Sequence, residues 1–146
     1  MEKLGNIIRG HEIFALDPRW TALDAARYMT EKRIGAAAVL DGGKLVGVFS
    51  ERDLMTRVVA AGLPADQTPV ADVMARNPVT AHPEERPEVG LRRMIETGCR
   101  HLPIVKDGAL LGLISVRDLI QAELDERDQE IRLSNEYLSG PLPRII

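Results

Sequence analysis

The sequence predicts an α+β fold in which two tandem β-α-β-β-α units form one pseudo-symmetric pair, followed by a helical C-terminal tail. Two observations predict it. The residues GVFSERDL at 47–54 return almost unchanged as GLISVRDL at 112–119, 65 positions later (112 − 47). The same offset aligns 13–59 with 78–124 without a gap. Such self-similarity at one offset is typical of a duplicated unit.

The composition excludes several classes of protein. Hydrophobic residues make up 45% of the 146 residues and aromatic residues only 3%, so we expect an aliphatic core. The net charge is −3 without a Lys/Arg-rich run, which argues against nucleic acid as a partner. Apolar runs such as AAAVL are too short to span a membrane, and the first residues do not resemble a signal peptide. The lone Cys99 fits a reducing cytoplasm, which is the expected location.

The first half of each unit reads as a short strand followed by a helix. The strands are predicted at 13–16 and 79–81, each near a proline that cannot continue a strand ladder. Ala22, Ala25 and Met29 then recur at helical spacing, which predicts an amphipathic helix with an apolar face. The second copy repeats the pattern.

The second half of each unit reads as a hairpin and another helix. The apolar strands AAAVL and KLVGVFS flank Asp41-Gly42-Gly43, a strong signal for a tight turn because glycine accepts a positive φ. LPIVK and ALLGLIS repeat this around Asp107-Gly108. A helix is then predicted to begin at each Ser-x-x-Asp motif.

These elements define four predicted segments. The first unit spans 5–62, a linker spans 63–77, the second unit spans 78–125, and a helical extension with a frayed end spans 126–146. The linker is rich in glycine and proline, with one short helical turn at VADVMAR.

Two β-α-β-β-α units, each closing on Gly-h-h-Ser-x-Arg-Asp (h, hydrophobic), resemble a tandem pair of CBS domains, the family named after cystathionine β-synthase. The resemblance covers residues 5–125 and is strongest to small stand-alone bacterial proteins of this type. It implies a non-catalytic regulatory module that binds adenosine-containing ligands, namely AMP, ADP, ATP, NAD or S-adenosylmethionine. It also implies association as a flat, disc-like homodimer.

Each Ser-x-x-Asp motif has a structural and a functional interpretation. A serine at the start of a helix with an acid three residues later is typical of a capping box, and the acid suits the positive helix end. The resemblance implies that Asp53 and Asp118 also accept hydrogen bonds from ribose hydroxyls. Gly47 and Gly112 would let adenosine approach the backbone, although glycine in a strand also marks a bulge. Both interpretations of the motif can hold at once.

For the first ligand site, the resemblance implies Ser50, Arg52 and Asp53 from one copy, with Val79 and Thr80 from the opposite copy. The serine would lie near the sugar or phosphate, and the threonine hydroxyl near an adenine nitrogen. Alternatively, Arg52 is a solvated first-turn side chain and Thr80 is an ordinary β-branched strand residue.

The second site is expected to differ from the first. The resemblance implies for it Phe14, Ala15, Ile34, Gly35, Arg100, His101, Ser115, Arg117 and Asp118. Arg100 and His101 offer a cation and an imidazole to a phosphate, whereas the matching stretch 34–38 of the first copy holds small apolar groups. The alternative for these two residues is a surface salt bridge and a tucked imidazole. The sequence predicts that the site with Asp118 holds phosphorylated ligands better.

The sequence leaves three candidate functions. The leading one is a regulatory nucleotide-binding module with an unidentified effector protein, and the alternative is a dimerisation scaffold with vestigial sites. An enzyme is not expected, because the sequence has no nucleophile–base pairing and no P-loop motif, and the histidine spacing predicts no metal site. Helix residues offered for the homodimer interface are Leu54, Met55, Val58, Leu119 and Ile120, unless they pack within the monomer.

Overall fold

The computed structural model describes residues 2–139, so the end of the predicted frayed tail, 140–146, lies outside the described residues. The helices are α1 (Leu4–Ile7), α2 (Ala22–Lys32), α3 (Glu51–Asp53), α4 (Val70–Val73), α5 (Pro87–Thr97) and α6 (Val116–Ser139). Helix α3 continues as a π-helical segment, Leu54–Val59. Within the described range no helix combines the length and apolarity needed to cross a lipid bilayer.

The strands form two sheets that confirm the predicted duplication. They are β1 (Ala15–Leu16), β2 (Ala36–Asp41), β3 (Lys44–Ser50), β4 (Ala75–Arg76), β5 (His101–Lys106) and β6 (Ala109–Ser115). The first sheet has the order β1-β2-β3-β4 and the second pairs β5 with β6. Helices α2 and α5, strands β2 and β5, and strands β3 and β6 each begin 65 positions apart (101 − 36). The fold is therefore a mixed α+β pair of repeated units with a C-terminal helix.

Local sequence accounts for the matching helices. The Thr21 hydroxyl accepts a hydrogen bond from the backbone N–H of Asp24 at 3.1 Å, and the Asp24 side chain accepts one from the N–H of Thr21, so α2 begins with a capping box. Helix α5 instead begins with Pro87, whose missing N–H costs nothing in a first turn. It ends at Gly98, which is in the left-handed conformation typical of a helix end.

The predicted hairpin turns are present. In the first, Asp41 pairs with Lys44 across a two-residue loop of Gly42 and Gly43, whose φ values are 56° and 84°. Positive φ at both loop residues fits the right-handed twist of the flanking strands. The pairing of β2 with β3 shifts register between Val39 and Leu40, so the strand glycine at 47 lies beside a bulge or irregularity.

Each repeat has its own core, and each core is completed by residues outside the repeat. The first core includes Val70 and Val73 from α4, although this helix belongs to the predicted linker. The second core includes Leu4 and Ile8, from α1 and its C-terminal end. The N–H of Leu4 also donates to the carbonyl of Glu85 at 3.0 Å. The chain start therefore packs on the second repeat, although the sequence analysis predicted no helix there.

Gly47 and Gly112 face side chains of these added segments, which corrects the expectation that they lie open to adenosine. A Cβ atom at Gly47 would lie 2.8 Å from the carbonyl oxygen of Ala75 and would also overlap Met74. A Cβ at Gly112 would lie 3.3 Å from the Cδ1 of Ile8. The physical reason for glycine here is close packing inside the protein.

The residues offered for a homodimer interface do not share one surface. Val58 is fully buried and Leu119 is 5% exposed, because both side chains pack into the cores of their own repeats. The expectation that Val58 and Leu119 contribute to a helix-to-helix interface between chains was therefore wrong. Met55 and Ile120 remain exposed, at 59% and 54%.

The two strand glycines give a matched pair of stability predictions. We expect Gly47→Ala to lower the free energy of unfolding by about 1–3 kcal/mol, because the new methyl group meets a backbone carbonyl that cannot move aside. Gly112→Ala should cost less, since the tip of Ile8 can rotate away. Urea denaturation measures both, and an equal or greater loss for Gly112→Ala contradicts this packing argument.

Candidate ligand-binding site

A cavity of about 1220 Å³ opens between the two repeats and takes its lining from both of them. Eight of the predicted site residues line it: Phe14, Ile34, Gly35, Arg100, His101, Ser115, Arg117 and Asp118. The other six lie outside its lining: Ala15, Ser50, Arg52, Asp53, Val79 and Thr80. The residues predicted for the second site are thus brought together almost completely.

Asp118 uses one carboxylate oxygen to cap α6, and the other has no partner among the residues that the structure describes. Its Oδ2 accepts the backbone N–H of Ser115 at 2.8 Å, and its own N–H donates to the Ser115 hydroxyl oxygen at 3.0 Å. This is the predicted capping box. Within residues 2–139, no group donates to Oδ1 and no cation lies at ion-pair distance. A half-buried anionic acceptor therefore remains at the cavity wall.

Asp53 makes the same cap, but its second oxygen is engaged. Its Oδ2 accepts hydrogen bonds from the backbone N–H and the hydroxyl of Ser50, each at 2.9 Å. Its Oδ1 lies 3.6 Å from the Nε of Arg57, whose Nη1 donates to the carbonyl of Met74 at 2.9 Å. Ala122 occupies the position of this arginine in the second repeat (122 − 57 = 65). One substitution between the copies thus makes their aspartates electrostatically different.

The other residues predicted for the first site either make ordinary structural contacts or are exposed. The carbonyl oxygen of Thr80 accepts a hydrogen bond from Nη1 of Arg93 at 2.9 Å, and Arg93 also forms an ion pair with Glu85 at 2.7 Å. Val79 is 41% exposed. The Arg52 side chain is exposed as well.

His101 is a half-buried imidazole at the start of β5. Burial lowers the pKa of His101, and this outweighs the opposing attraction of the Asp118 and Glu51 carboxylates. Arg100 adds a smaller lowering effect on the same pKa. The ring is therefore neutral near pH 7 and offers the cavity one donor and one acceptor nitrogen.

Glu51 is a cavity residue that sequence reasoning missed. Its backbone N–H donates to the carbonyl of Gly35 at 2.9 Å, and Val116 makes the matching bond to Arg100 in the second repeat. A Cβ atom at Gly35 would lie 3.2 Å from Oε1 of Glu51, so glycine lets the carboxylate rest against the backbone. The sequence signal for Glu51 was the difference between the two Ser-x-x-Asp motifs, because the second motif has Val116 at the same position.

Arg33 is a second residue that sequence reasoning did not assign to the site. It lines the cavity, and it adopts the left-handed conformation (φ 57°, ψ 44°) at the C-cap of α2. Gly98 has this role in the second repeat. A non-glycine residue in that conformation costs about 1 kcal/mol or more. Comparing the two copies at the 65-residue offset (98 − 33) reveals the difference.

The cavity also has an apolar wall. It is lined by Phe14, Met29, Leu54, Leu113 and Ile120. The Phe14 ring is held by an edge contact with Tyr28, with ring centroids 6.5 Å apart. An apolar wall, an anionic acceptor and several arginines together suit a ligand with a flat apolar ring, hydroxyl donors and an anionic group.

Comparison with known proteins supports the repeat structure. A family model described as the CBS domain matches residues 6–60 and 70–125. The mitochondrial CBS domain-containing protein CBSX3 of Arabidopsis thaliana is 30% identical over 125 residues, which is 82% of this chain and 61% of that protein. A protein of Methanopyrus kandleri is 30% identical over 122 residues, 82% of this chain and 62% of that protein. The chain thus spans less than two thirds of these relatives.

Solved structures agree in fold. A protein with CBS domains from Burkholderia ambifaria superimposes with a TM-score of 0.81 at 30% identity, covering 84% of this chain and 94% of that one. A CBS domain protein from Pyrobaculum aerophilum, complexed with AMP, has a TM-score of 0.72 at 27% identity, covering 80% and 88%. The two stretches matched by the family model contain the aligned copies 13–59 and 78–124, and the second stretch also includes helix α4. The chain therefore belongs to the CBS-domain family and carries two tandem CBS domains.

Proposed function

We propose that this chain is a non-catalytic regulatory module that binds an adenosine-containing ligand, such as AMP, ADP, ATP or NAD, between its two CBS domains. The observation that carries the proposal is that Asp118 lines the interdomain cavity and that its Oδ1 has no partner within residues 2–139. A carboxylate that accepts from two neighbouring hydroxyls is a strong and selective clamp for a ribose. The AMP complex of the Pyrobaculum aerophilum relative supports a nucleotide as the ligand.

The other groups of the cavity fit the remaining parts of a nucleotide. The apolar wall around Phe14 would cover the base, with Ala15, Ile34 and Gly35 adjoining it. The phosphate would meet Arg100, Arg117 and the neutral imidazole of His101. Ser115 would keep the aspartate oriented through their reciprocal hydrogen bonds.

The first site is proposed to bind more weakly. Ser50, Arg52, Asp53, Val79 and Thr80 stay assigned to it, but a ribose there must compete with Arg57 for the carboxylate. This ion pair favours the second candidate function, a scaffold with a vestigial site, for that half of the protein alone.

The nucleotide would regulate by bridging the two domains. The nucleotide can shift the populations of two arrangements of the domains only by its differential affinity for them. An effector protein would bind one arrangement in preference to the other. In this proposal the module senses the energy or metabolite state of the cell. The single half-buried cysteine, Cys99, is compatible with the proposed cytoplasmic location.

We also propose association as a homodimer. Val59 and Leu124 occupy the same position in the two repeats (124 − 59 = 65) and are 68% and 50% exposed. Met55 and Ile120 lie one helical turn before them and are also exposed. Exposed aliphatic side chains repeated in this way are typical of an interface.

The two aspartates provide a matched test of the nucleotide proposal. Asp118→Asn keeps the shape and the cap but removes the charge, so we expect AMP affinity to fall by about tenfold or more. Asp53→Asn makes the same change in the first repeat and should alter affinity by much less. Isothermal titration calorimetry measures both. An equal loss of AMP affinity in both variants would contradict the proposal, as would a wild type that does not bind AMP at millimolar concentration.

The dimer proposal is tested by changing the shared surface. The double variant Val59→Lys/Leu124→Lys should sediment as a monomer, because it buries two uncompensated charges in the interface. Ile95→Lys, at a side chain 72% exposed on α5, is the control and should remain a dimer. A monomeric wild type, or a double variant that still dimerises, contradicts the proposal.

A further inference from the structure

We infer that the ligand of this cavity is a nucleoside diphosphate or triphosphate, and that Arg33 binds a phosphate beyond the first one. The inference rests on the proposed nucleotide-binding function and concerns its specificity. Three observations carry it: the backbone of Arg33, the arrangement of arginines around the cavity, and the size of the cavity.

Arg33 occupies a position that the backbone alone would give to glycine. It is left-handed at the end of α2, and the same position at the end of α5 is Gly98, with φ 70°. The two helices have equal length and the same offset, so the local geometry required is the same. Non-glycine residues with a strained backbone concentrate at binding sites, where the function of the side chain compensates for the cost of the backbone conformation. Here the side chain lines the cavity.

Three arginines line the cavity. They are Arg33, Arg100 and Arg117, and within the described residues none of their guanidinium groups makes a hydrogen bond or ion pair. Arg100 and Arg117 belong to the second CBS domain, whereas Arg33 belongs to the first. A ligand that touches all three therefore reaches across the cavity, as a chain of phosphates extended from the nucleoside would do.

Three carboxylates, Glu12, Glu51 and Asp118, also line the cavity, so they balance the charge of the three arginines. Binding a polyphosphate there depends on bidentate guanidinium contacts rather than on net charge. The volume supports a larger ligand as well. About 1220 Å³ exceeds the roughly 300–1,000 Å³ typical of pockets for drug-sized molecules.

The test compares ADP with AMP on Arg33→Gly. Glycine suits the left-handed conformation, as Gly98 shows, so this variant should keep the thermal midpoint of the wild type. By calorimetry, the wild type should bind ADP about tenfold more tightly than AMP. Arg33→Gly should remove that preference and leave AMP affinity within about twofold. Arg27→Ala removes the same charge from the same helix outside the cavity lining and should keep the preference.

The outcomes separate this inference from the function on which it rests. Equal affinities of the wild type for AMP and ADP, or an equal loss of both in Arg33→Gly, overturn the role of Arg33 while nucleotide binding stands. A loss of the ADP preference in Arg27→Ala as well shows a long-range charge effect and also overturns the assigned contact. Binding of neither nucleotide to the wild type overturns both proposals.

Discussion

The site depends on the different bonding of the two carboxylate oxygens of Asp118. One oxygen must accept the N–H of Ser115, because the first turn of a helix leaves its donors unsatisfied. That bond fixes the side chain of a residue that lines the cavity and leaves its second oxygen for another donor. In the first repeat Arg57 takes the second oxygen of Asp53. In the first copy both carboxylate oxygens of the motif's aspartate are therefore engaged within the protein. In the second copy one oxygen remains for a ligand.

Short segments outside the repeated elements pack into the two cores and help to hold that aspartate in place. Helix α4, in the linker between the two units, completes the first core, and α1, at the start of the first unit, contributes to the second. Both segments pack against a glycine of the strand that leads into a Ser-x-x-Asp motif. Because these strands continue directly into the motifs, the same packing positions the capped helices.

The repeated pattern of apolar residues, turn glycines and capping motifs was sufficient to predict the unit and its duplication. The short helix α1 was not predicted, since the four residues Leu4–Ile7 cannot show a helical period. The Asp53–Arg57 ion pair depends on side-chain positions at the start of the π-helical segment, and sequence spacing alone does not settle these. Arg33 was detectable, because the aligned copies place it opposite Gly98.

A crystal structure of the protein with AMP tests the central claim most directly. The account predicts density for one nucleotide in the interdomain cavity, with the ribose hydroxyls about 3 Å from Oδ1 of Asp118 and the cap to Ser115 intact. Density for the ribose at Asp53 with the Arg57 ion pair broken, or outside the cavity altogether, would contradict it.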